Sequence, residues 1–410
     1  MKNRIFYGWI IVLAIFLMLA VGWGIPINTN SIFITPIEED LNFTRSQMLN
    51  ALTIRSIIMA VTSLSAAWVF SKFNLKRIME ISAIVLCMAY FAMRFMTSII
   101  HYYILISIQA ACITYGGFFP ASVIINKWFV KKNATALGIA FMGTGIGGMI
   151  FNLMGSSLIL QIGWRATITV FTAIIFIIKL VTVFILIKVD PEEKGLKPYG
   201  NTQRETMDKL EDDELPKTSI KDVLKSLKFW MLGIGIMIMG MNMTGLVSNI
   251  APRLRDIGYS LSTSGKVTSL SMISLAVGKL LLGVIFDRYS MRNATLLSSL
   301  SLLLGMLGML FAKYKIALIC IGLGSGFGTS FGSIAPPLYA EKLYPRLEYT
   351  SKLAFFQTMS KIGGIISPIL MGAMYKVSNS YNSSLVLLSG SLIVASLIWL
   401  GTLPANNEKE

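Results

Sequence analysis

Two lysines lie inside long apolar stretches, where a charged side chain needs an explanation. Lys279 is within Val277–Gly283, and Lys361 is within Met359–Gly364. A charge in the hydrocarbon of a membrane costs about 3 kcal/mol or more, so such a side chain either binds a partner or snorkels to the polar interface. No Asp or Glu lies deep within any apolar stretch, and Glu80 is at the end of one. Cations without opposing acids indicate a positive cavity, which selects anions.

Three further cations fall inside apolar stretches. Arg55 is deep enough to be a third cavity cation, and a structural bond to the backbone or the interface is the alternative. Arg94 lies near one end of its stretch, so we expect it to snorkel. Lys179 is deep in the last stretch of the first half, and we expect its side chain to snorkel toward the cytoplasmic face.

Metal and redox chemistry find little support in the sequence. Cys87, Cys112 and Cys320 lie in apolar runs without a ligand spacing, and His101 is the only histidine. The glycines of Gly143–Gly148 match G-x-G-x-x-G, but they follow no strand, so we reject nucleotide binding. Without a buried His, Cys or acid pair, we expect no catalysis, no metal and no cofactor.

The chain is too apolar for a soluble domain, so membrane-spanning helices must position these cations. Of 410 residues, 54% are hydrophobic and 14% are charged, where soluble domains have about 25% charged residues. Apolar runs of about 20 residues can cross a bilayer. The one long connection, 189–228, is rich in charges such as Glu211-Asp212-Asp213-Glu214 and separates two groups of six spans. The twelve predicted spans are 6–34, 46–70, 78–98, 101–125, 134–160, 166–188, 229–250, 264–286, 293–312, 315–340, 350–375 and 381–403.

The net charge of +16 is explained by topology. Most of the 36 Lys and Arg residues fall on the side of the membrane that carries both termini. The positive-inside rule therefore predicts that both termini are cytoplasmic. A nucleic-acid surface would need clustered cations interleaved with exposed aromatic residues, so we expect no nucleic-acid partner.

The two groups of six spans are related by a constant offset of 216 positions. Four separate matches at one offset indicate an internal repeat, and parallel repeats joined by a cytoplasmic linker are typical of secondary transporters with a substrate site between the halves. The matched stretches are Thr35-Pro36 with Ala251-Pro252, Phe70–Lys76 with Phe286–Arg292, Tyr115-Gly116 and Pro120 with Phe331-Gly332 and Pro336, and Ile146–Gly148 with Ile362–Gly364.

Twelve spans with a long central loop resemble the major facilitator superfamily. Its loop signature, G-x-x-x-D-R-x-G-R-[KR], is matched in the second half by Gly283, Asp287, Arg288 and Arg292. The first-half copy is degenerate, with Ser71 in place of the acid. The resemblance implies an all-α fold of two pseudo-symmetric six-helix bundles, 1–188 and 229–410, joined by the linker 189–228. It also implies a cytoplasmic gating latch, whose first-half members would be Lys72 and Lys76.

Further motifs resemble one branch of that superfamily, the bacterial oxalate:formate antiporters and related monocarboxylate porters. In that branch two cations on the eighth and eleventh helices bind the carboxylate substrate, and the resemblance carries this role to Lys279 and Lys361. The branch has Arg at the first position, and Lys offers a point charge rather than a two-pronged fork, which weakens the case for oxalate itself. The motifs are Tyr7-Gly8-Trp9, Lys127-Trp128-Phe129, Lys131-Lys132, Ala136–Ala140, Gly163-Trp164-Arg165 and Glu193–Pro198.

Neutral residues could complete a substrate site. Aromatic walls would contact the part of a ligand that is not a carboxylate, and Tyr115 with its repeat mate Phe331 are the first candidates. Packing and helix–helix hydrogen bonds are the alternatives for all of these side chains. The remaining candidates are the aromatic residues Phe327 and Phe355 and the amides Asn28, Asn30 and Asn242.

The sequence therefore predicts a plasma-membrane (inner cell membrane) carrier for small organic anions, mono- or dicarboxylates. We expect a monomer in contact with lipid that works by proton coupling or by anion exchange. A buried lysine without a counter-charge can take up a proton with the anion, which would couple the two. The alternatives are an exporter of larger amphipathic anions and a membrane sensor that binds a ligand without transporting it.

Overall fold

The computed structural model describes residues 6–200, 226–345, 348–378 and 380–404. Most of the predicted linker, including Glu211-Asp212-Asp213-Glu214, lies outside the described residues. The described chain is almost entirely helical. Its α-helices are α1 Tyr7–Gly22, α2 Asn30–Leu41, α3 Arg45–Lys72, α4 Leu75–Ala92, α5 Ile99–Tyr115, α6 Phe118–Trp128, α7 Asn133–Lys179, α8 Leu227–Asp256, α9 Leu261–Arg288, α10 Met291–Leu310, α11 Lys315–Thr329, α12 Phe331–Leu343, α13 Tyr349–Ser378 and α14 Asn382–Thr402.

Twelve membrane crossings emerge, in agreement with the sequence. Eleven helical stretches of the described residues are long and apolar enough to span a bilayer. One of them, Asn133–Leu186, has 54 residues, and a helix rises about 1.5 Å per residue, so it exceeds twice a bilayer's hydrocarbon thickness of about 30 Å. Gly163 interrupts this stretch with φ +76°, a left-handed conformation that glycine adopts without penalty. The break divides the stretch into two crossings.

Several predicted spans contain internal breaks. α1 is followed by a π-helical turn, Gly24–Asn28, and then by α2. Gly116 and Gly117 have non-helical dihedrals and separate α5 from α6. Ser330 separates α11 from α12. Broken helices at membrane depth are tolerated where they face protein or a cavity, and functional sites are often built at such places.

The helices of the two halves pack in matching pairs. α1 packs on α7 as α8 packs on α13, and α3 packs on α5 as α9 packs on α11. The pair α4 and α5 corresponds in the same way to α10 and α11. Pro36 lies inside α2 and its repeat mate Pro252 lies inside α8. The fold is that of two pseudo-symmetric bundles, as the repeat predicted.

Most of the contact between the halves is made by two helix pairs, α7 with α9 and α3 with α13. In the first pair the backbones approach closely because both helices present glycine. A Cβ on Gly138 would lie 2.5 Å from the carbonyl oxygen of Lys279, and one on Gly283 would lie 2.3 Å from that of Ala134. Close approach through small residues is how membrane helices associate without a hydrophobic driving force.

The chain that follows α7 folds back on the first half and forms what we call the clasp, residues 188–199 packed on Phe6, Tyr7, Trp9 and 127–130. Tyr199 exchanges backbone hydrogen bonds with Trp128 and Val130 at 2.8 and 3.0 Å. Its ring packs 5.7 Å from that of Phe129, and Trp128 Nε1 donates to the carbonyl of Lys188 at 3.0 Å. The three motifs that contain Tyr7, Trp128 and Lys194 therefore meet in one structural unit.

Candidate functional site

A cavity of about 460 Å³ lies between the two halves. Helix breaks contribute to its wall, because Asn28 comes from the π-helical turn after α1 and Phe118 begins α6. Among its lining residues, all within the described chain, there are three cations and no Asp or Glu. The cations are Lys279 from α9, Lys361 from α13 and Arg55 from α3.

Lys279 reaches from the second half to the first. Its ammonium group donates to Thr144 Oγ1 at 2.5 Å and to the carbonyl of Phe141 at 3.3 Å, both on α7. It also lies 5.4 Å from the centre of the Phe118 ring, within the range of a cation–π contact. Lys279 is only 4% exposed, so its side chain does not snorkel. These contacts hold a positive charge in the wall of the cavity.

Lys361 also faces an aromatic ring of the first half. Its ammonium group lies 5.3 Å from the centre of the Trp23 ring. The rings of Trp23 and Phe118 pack edge to face with centroids 4.7 Å apart, so the two ammonium groups flank one aromatic pair. Lys361 is also close enough for its charge to act on Lys279. An anion placed between the two lysines would relieve that repulsion.

Arg55 belongs to a separate polar group at the cavity. Its guanidinium donates to Asn30 Oδ1 at 2.9 Å, and the same oxygen accepts from the hydroxyl of Tyr102 at 3.2 Å. Asn28 lines the cavity and donates through Nδ2 to the carbonyl of Thr144 at 2.9 Å. Asn30 is thus a partner of Arg55 rather than part of the lining. Arg55 lines the cavity, and its structural bond is to the side chain of Asn30 rather than to the backbone or the interface.

The structure places the paired aromatic candidates away from the cavity lining. The hydroxyl of Tyr115 lies 2.7 Å from Ser65 Oγ, and the Tyr115 ring packs on Phe70. Phe331 is fully buried and packs on Trp399, with ring centroids 5.6 Å apart. These two side chains join helices within each half, which is the packing alternative. Neither contacts the cavity.

Three other candidates also pack elsewhere. Asn242 is fully buried and donates to the carbonyl of Ile238 and to Ser391 Oγ at 2.8 Å. Phe355 stacks on Phe229 with centroids 4.2 Å apart. Phe327 lies against Gly278 and lines a groove between α9, α10 and α11. Periodicity does not reveal which way a side chain points in a helix that is apolar all round, and this limit explains the difference.

Sequence reasoning missed three lining residues that contact the lysines, Trp23, Phe118 and Thr144. Trp23 and Phe118 each follow a glycine, and helix breaks occur at both places. A Gly-aromatic pair inside an apolar run was therefore the available signal. Thr144 had no comparable signal, because it lies among the glycines that were interpreted as helix packing.

Lys179 does not snorkel, contrary to the expectation from its sequence position. It is 3% exposed, and its Nζ lies 3.2 Å from the position that a Cβ on Gly22 would take. The side chain therefore points inward between α1 and the break at Gly116-Gly117. Arg94, by contrast, is exposed near the end of its span and donates to Thr169 Oγ1 at 2.8 Å.

The halves are bonded together at the end of the molecule where α7 begins and α9 ends. The carboxylate of Asp287 accepts hydrogen bonds from the backbone N–H groups of Ala134 and Thr135 at 3.2 and 2.7 Å, and from Thr135 Oγ1 at 2.5 Å. An acid at a helix N-terminus satisfies orphan N–H groups and complements the helix dipole. Two more bonds cross here, from Asn133 to Glu341 at 2.9 Å and from Tyr349 to the carbonyl of Ser122 at 3.3 Å.

The other signature residues make different contacts. Ser71, the repeat mate of Asp287, donates to the carbonyl of Trp68 in its own helix, and Lys72 lies over the Trp68 ring. Lys76 donates to the carbonyls of Ile187 and Val183 after α7. Arg288 is exposed at the end of α9, and Arg292 is half-buried in the first turn of α10. Gly283 provides the close approach between α9 and α7 described above.

The cavity extends away from this bonded end. Leu52 and Arg55 lie near the start of α3, and Val247 and Ser248 lie near the end of α8, and all four line the cavity. These helix ends are opposite to the Asp287 contacts, because α3 begins and α9 ends on different sides of the membrane. The two halves are therefore bonded to each other at one end, and the cavity between them approaches the other end.

Comparisons with known proteins agree with this architecture. The family model of the Major Facilitator Superfamily matches residues 9–340. Monocarboxylate transporter 13 of Bos taurus is 21% identical over 97% of this chain and 89% of its own length. The solved structure of the FucP transporter in the outward conformation has a TM-score of 0.70 at 14% identity, covering 96% of this chain and 97% of that one. The proton:xylose symporter XylE has a TM-score of 0.78 at 12% identity, with coverage of 97% and 96%.

Proposed function

This chain belongs to the Major Facilitator Superfamily, and from that premise we propose that it is a secondary transporter of small organic anions, mono- or dicarboxylates. We propose that the substrate binds between the two halves at Lys279 and Lys361. The halves, residues 1–188 and 229–410, would rock about this site and expose it to each side of the membrane in turn. The protein is a multi-pass membrane protein, and we place it in the plasma membrane as a monomer with cytoplasmic termini.

One observation carries the proposal: within the described part of the chain, the cavity is lined by Lys279, Lys361 and Arg55 and by no acid. Three positive charges repel a cation, and a neutral ligand would accept hydrogen bonds from them without the attraction between opposite charges. A carboxylate would gain charge-assisted hydrogen bonds, which are about twice as strong as neutral ones. The similarity to a protein named as a monocarboxylate transporter supports the same class of substrate.

The cavity wall supports a small substrate with an apolar body. Trp23, Phe118 and Met243 are among its lining residues, and apolar walls with a few placed polar groups are usual in ligand pockets. The volume of about 460 Å³ lies in the lower half of the usual range of about 300–1,000 Å³. This size favours small carboxylates over the larger amphipathic anions of the alternative proposal.

The two lysines also bear on selectivity among carboxylates. A lysine ammonium is a point charge with rotatable donors, whereas arginine presents a rigid fork. Each lysine can bind one carboxylate without demanding a planar partner. We therefore propose a site that accepts monocarboxylates such as lactate and tolerates short dicarboxylates.

The test is counterflow in proteoliposomes with lactate, pyruvate, formate, acetate, oxalate and succinate as probes. We expect exchange of at least one anion by the wild type and loss of exchange in Lys279→Ala and Lys361→Ala. Lys266→Ala is the matched control, because Lys266 is an exposed lysine on the same helix as Lys279. Equal exchange by both cavity variants and the wild type would contradict the site, and no exchange of any of these small anions by the wild type would contradict the proposed class of substrate.

A further inference from the structure

Arg55 is a cavity cation with donors to spare. Its side chain is only 7% exposed, and among the residues that the structure describes it makes one hydrogen bond, to Asn30 Oδ1. A guanidinium has five N–H donors, so most of them remain available to a ligand in the cavity that Arg55 lines. The described groups that act electrostatically on it are the phenols of Tyr90 and Tyr102, and no acid is among them. A buried charge without a counter-ion is unfavourable, so an anion is the partner that this group lacks.

The helix α7 measures how far Arg55 lies from the two lysines. The ammonium group of Lys279 donates to Thr144 Oγ1. Asn152, eight residues further along α7, donates through Nδ2 to the carbonyl of Asn28 at 3.1 Å. The amide that bonds Arg55 begins α2, two residues after Asn28. Because a helix rises about 1.5 Å per residue, the Arg55 group is about 12 Å from the depth of the Lys279 ammonium group along the axis of α7.

The internal repeat gives a second measure of the same separation. The offset of 216 positions pairs Lys279 with Ser63 of α3, which also lines the cavity. Repeat mates lie at equivalent depths in the two halves, and Arg55 precedes Ser63 by eight residues, again about 12 Å. Lys361 is the repeat mate of Gly145, which adjoins the threonine that Lys279 contacts. Lys279 and Lys361 therefore share one depth, which we call the lysine level.

A small carboxylate cannot occupy both depths at once. Lactate and oxalate are only a few bond lengths long, much shorter than this separation. An anion bound between Lys279 and Lys361 therefore leaves the guanidinium of Arg55 free. One face of α3 connects the two depths, because Arg55, Met59 and Ser63 recur at intervals of four residues and all line the cavity.

Arg55 lies on the side that the cavity approaches. α3 begins on the side of the membrane opposite to the Asp287 contacts, and Arg55 is in the first half of that helix. Ser248 of α8 is the repeat mate of Ile32, two residues after the amide that bonds Arg55. Ser56 and Ser248 therefore bring hydroxyl groups from both halves of the protein to this depth of the cavity. An anion that enters from this side meets Arg55 before it meets the lysines.

We propose that Arg55 forms a second anion-binding site, which captures the carboxylate substrate on the open side of the cavity before it moves to the lysine level. Cations in a cleft with low-dielectric walls raise the local concentration of anions and their rate of association by about 10- to 1,000-fold. A cation is then close to the anion at both ends of its path. This inference rests on the proposed function, because it takes the lysine level as the site from which the anion is transported.

The transport test compares the two faces of the membrane. The full-length protein is assayed in right-side-out and inside-out membrane vesicles with lactate and oxalate as probes. We expect Arg55→Gln to raise the half-saturating anion concentration about tenfold for uptake from the side nearer Arg55 and less than about twofold from the other side. Lys279→Ala should impair uptake from both sides. Equal changes from the two sides in Arg55→Gln, or no change from either, would overturn the inference.

Two further variants separate a capture site from a structural role or a general surface charge. Arg55→Lys keeps the positive charge and should retain most of the wild-type value, and a loss as large as in Arg55→Gln would overturn the inference. Arg94→Gln is the matched control, because Arg94 is an exposed arginine on the same side of the membrane. An equal effect of Arg94→Gln would assign the capture to surface charge and overturn the inference.

A labelling test separates this inference from the proposed function. A cysteine at Ser56, beside Arg55, is alkylated in a chain that lacks the three native cysteines. Lactate should slow the alkylation, the protection should persist in the double variant Lys279→Ala with Lys361→Ala, and it should disappear in Arg55→Gln. A cysteine at Ser360, beside Lys361 in the cavity lining, should show the opposite dependence.

The labelling results have distinct consequences for the two proposals. Protection at the Ser56 position without any counterflow would contradict the proposed function and support the anion site at Arg55. Counterflow without this protection would overturn the inference and leave the carrier standing. Loss of the protection in the double lysine variant would also overturn it, because the lysine level alone would then account for binding.

Discussion

The two halves share one fold but contribute different chemistry to the boundary between them. The second half supplies charged side chains, Lys279 and Lys361 in the cavity and Asp287 at the bonded end. The first half supplies their neutral partners, which are hydroxyl and carbonyl oxygens, aromatic rings and the N-terminus of α7. The two halves therefore share their packing, while the charged side chains that reach across the boundary come from the second half.

Arg55 limits this contrast, because it is a cavity cation in the first half. It differs from the two lysines in its partner, since it bonds to Asn30 of its own half. The charges that cross the boundary are those of the second half. The predictions below test whether that asymmetry is needed or only the total charge of the cavity.

Moving a cation between the halves should give the largest effect. We expect Lys279→Thr to weaken anion binding at least about 30-fold, because loss of one partner of a buried charge pair costs about 2–5 kcal/mol. The swapped double variant, Lys279→Thr with Thr144→Lys, should recover most of that loss, since the two side chains touch in the wild type. The measurement is the half-saturating anion concentration in counterflow. No recovery would mean that the cation must come from α9.

Removing the charge at the bonded end should have the next largest effect. Asp287→Asn loses charge-assisted hydrogen bonds to α7, worth about 1.5–3 kcal/mol, and should shift the conformational equilibrium about tenfold or more. A cysteine introduced at Ser56, which lines the cavity, should then react more slowly with a thiol reagent added from the side of the membrane opposite to the Asp287 contacts. Unchanged labelling would show that Asp287 does not hold the halves together.

Thr144→Val tests the neutral partner on the first half. The Thr144 hydroxyl accepts from Lys279, so an anion must share that ammonium group. Loss of a hydrogen bond from a charged group is worth about 1.5 kcal/mol at the low end, and we expect the half-saturating anion concentration to fall about tenfold. A rise instead would show that Thr144 orients Lys279 rather than competing with the anion.

The smallest effect is expected from placing an acid at Ser71, where the first-half copy of the loop signature lacks one. Ser71→Asp would place a carboxylate at the repeat mate of Asp287, beside Phe70, which lines a pocket together with Thr350 of the first turn of α13. A carboxylate at a helix N-terminus is worth about 0.3–1 kcal/mol, so labelling at Ser56→Cys should change by about fivefold at most. Exposed Ser351→Asp is the matched control, as it adds an acid in the first turn of α13 itself. A larger effect than that of Asp287→Asn would reverse the contrast between the halves.

The sequence predicted the fold well because the signals for the fold, apolar runs and an internal repeat, extend over long stretches of the chain. Apolar length gave the twelve crossings, and the offset between Pro36 and Pro252 gave the two related halves. The break at Gly163 lay between two predicted spans and appears there in the structure. What apolar length cannot show is an interruption inside a span, so the breaks at Gly24–Asn28 and Gly116-Gly117 were not predicted.

Site residues were predictable where placing the side chain inside a membrane span costs free energy. They were unpredictable where the residue type is common in such spans. Lys279, Lys361 and Arg55 were conspicuous as charges in apolar runs, and all three line the cavity. Phe331 and Asn242 resembled site residues only by type, and both pack inside one half. Lys179 is also a charged residue within a span. The sequence could not show whether its side chain points into the bundle or out of it, because that depends on how the helix is rotated about its axis.

The clasp has a consequence for how the chain is made. Residues 188–199 emerge from the ribosome directly after α7, and they complete the packing around Trp128 before α8 exists. The first half can thus close its own surface around Trp128 during synthesis, which suits the tendency of domains to fold as they are produced. A gene divided after Gly200 should therefore yield two fragments that reassemble, whereas one divided before Lys188 should leave the first fragment incomplete and prone to degradation.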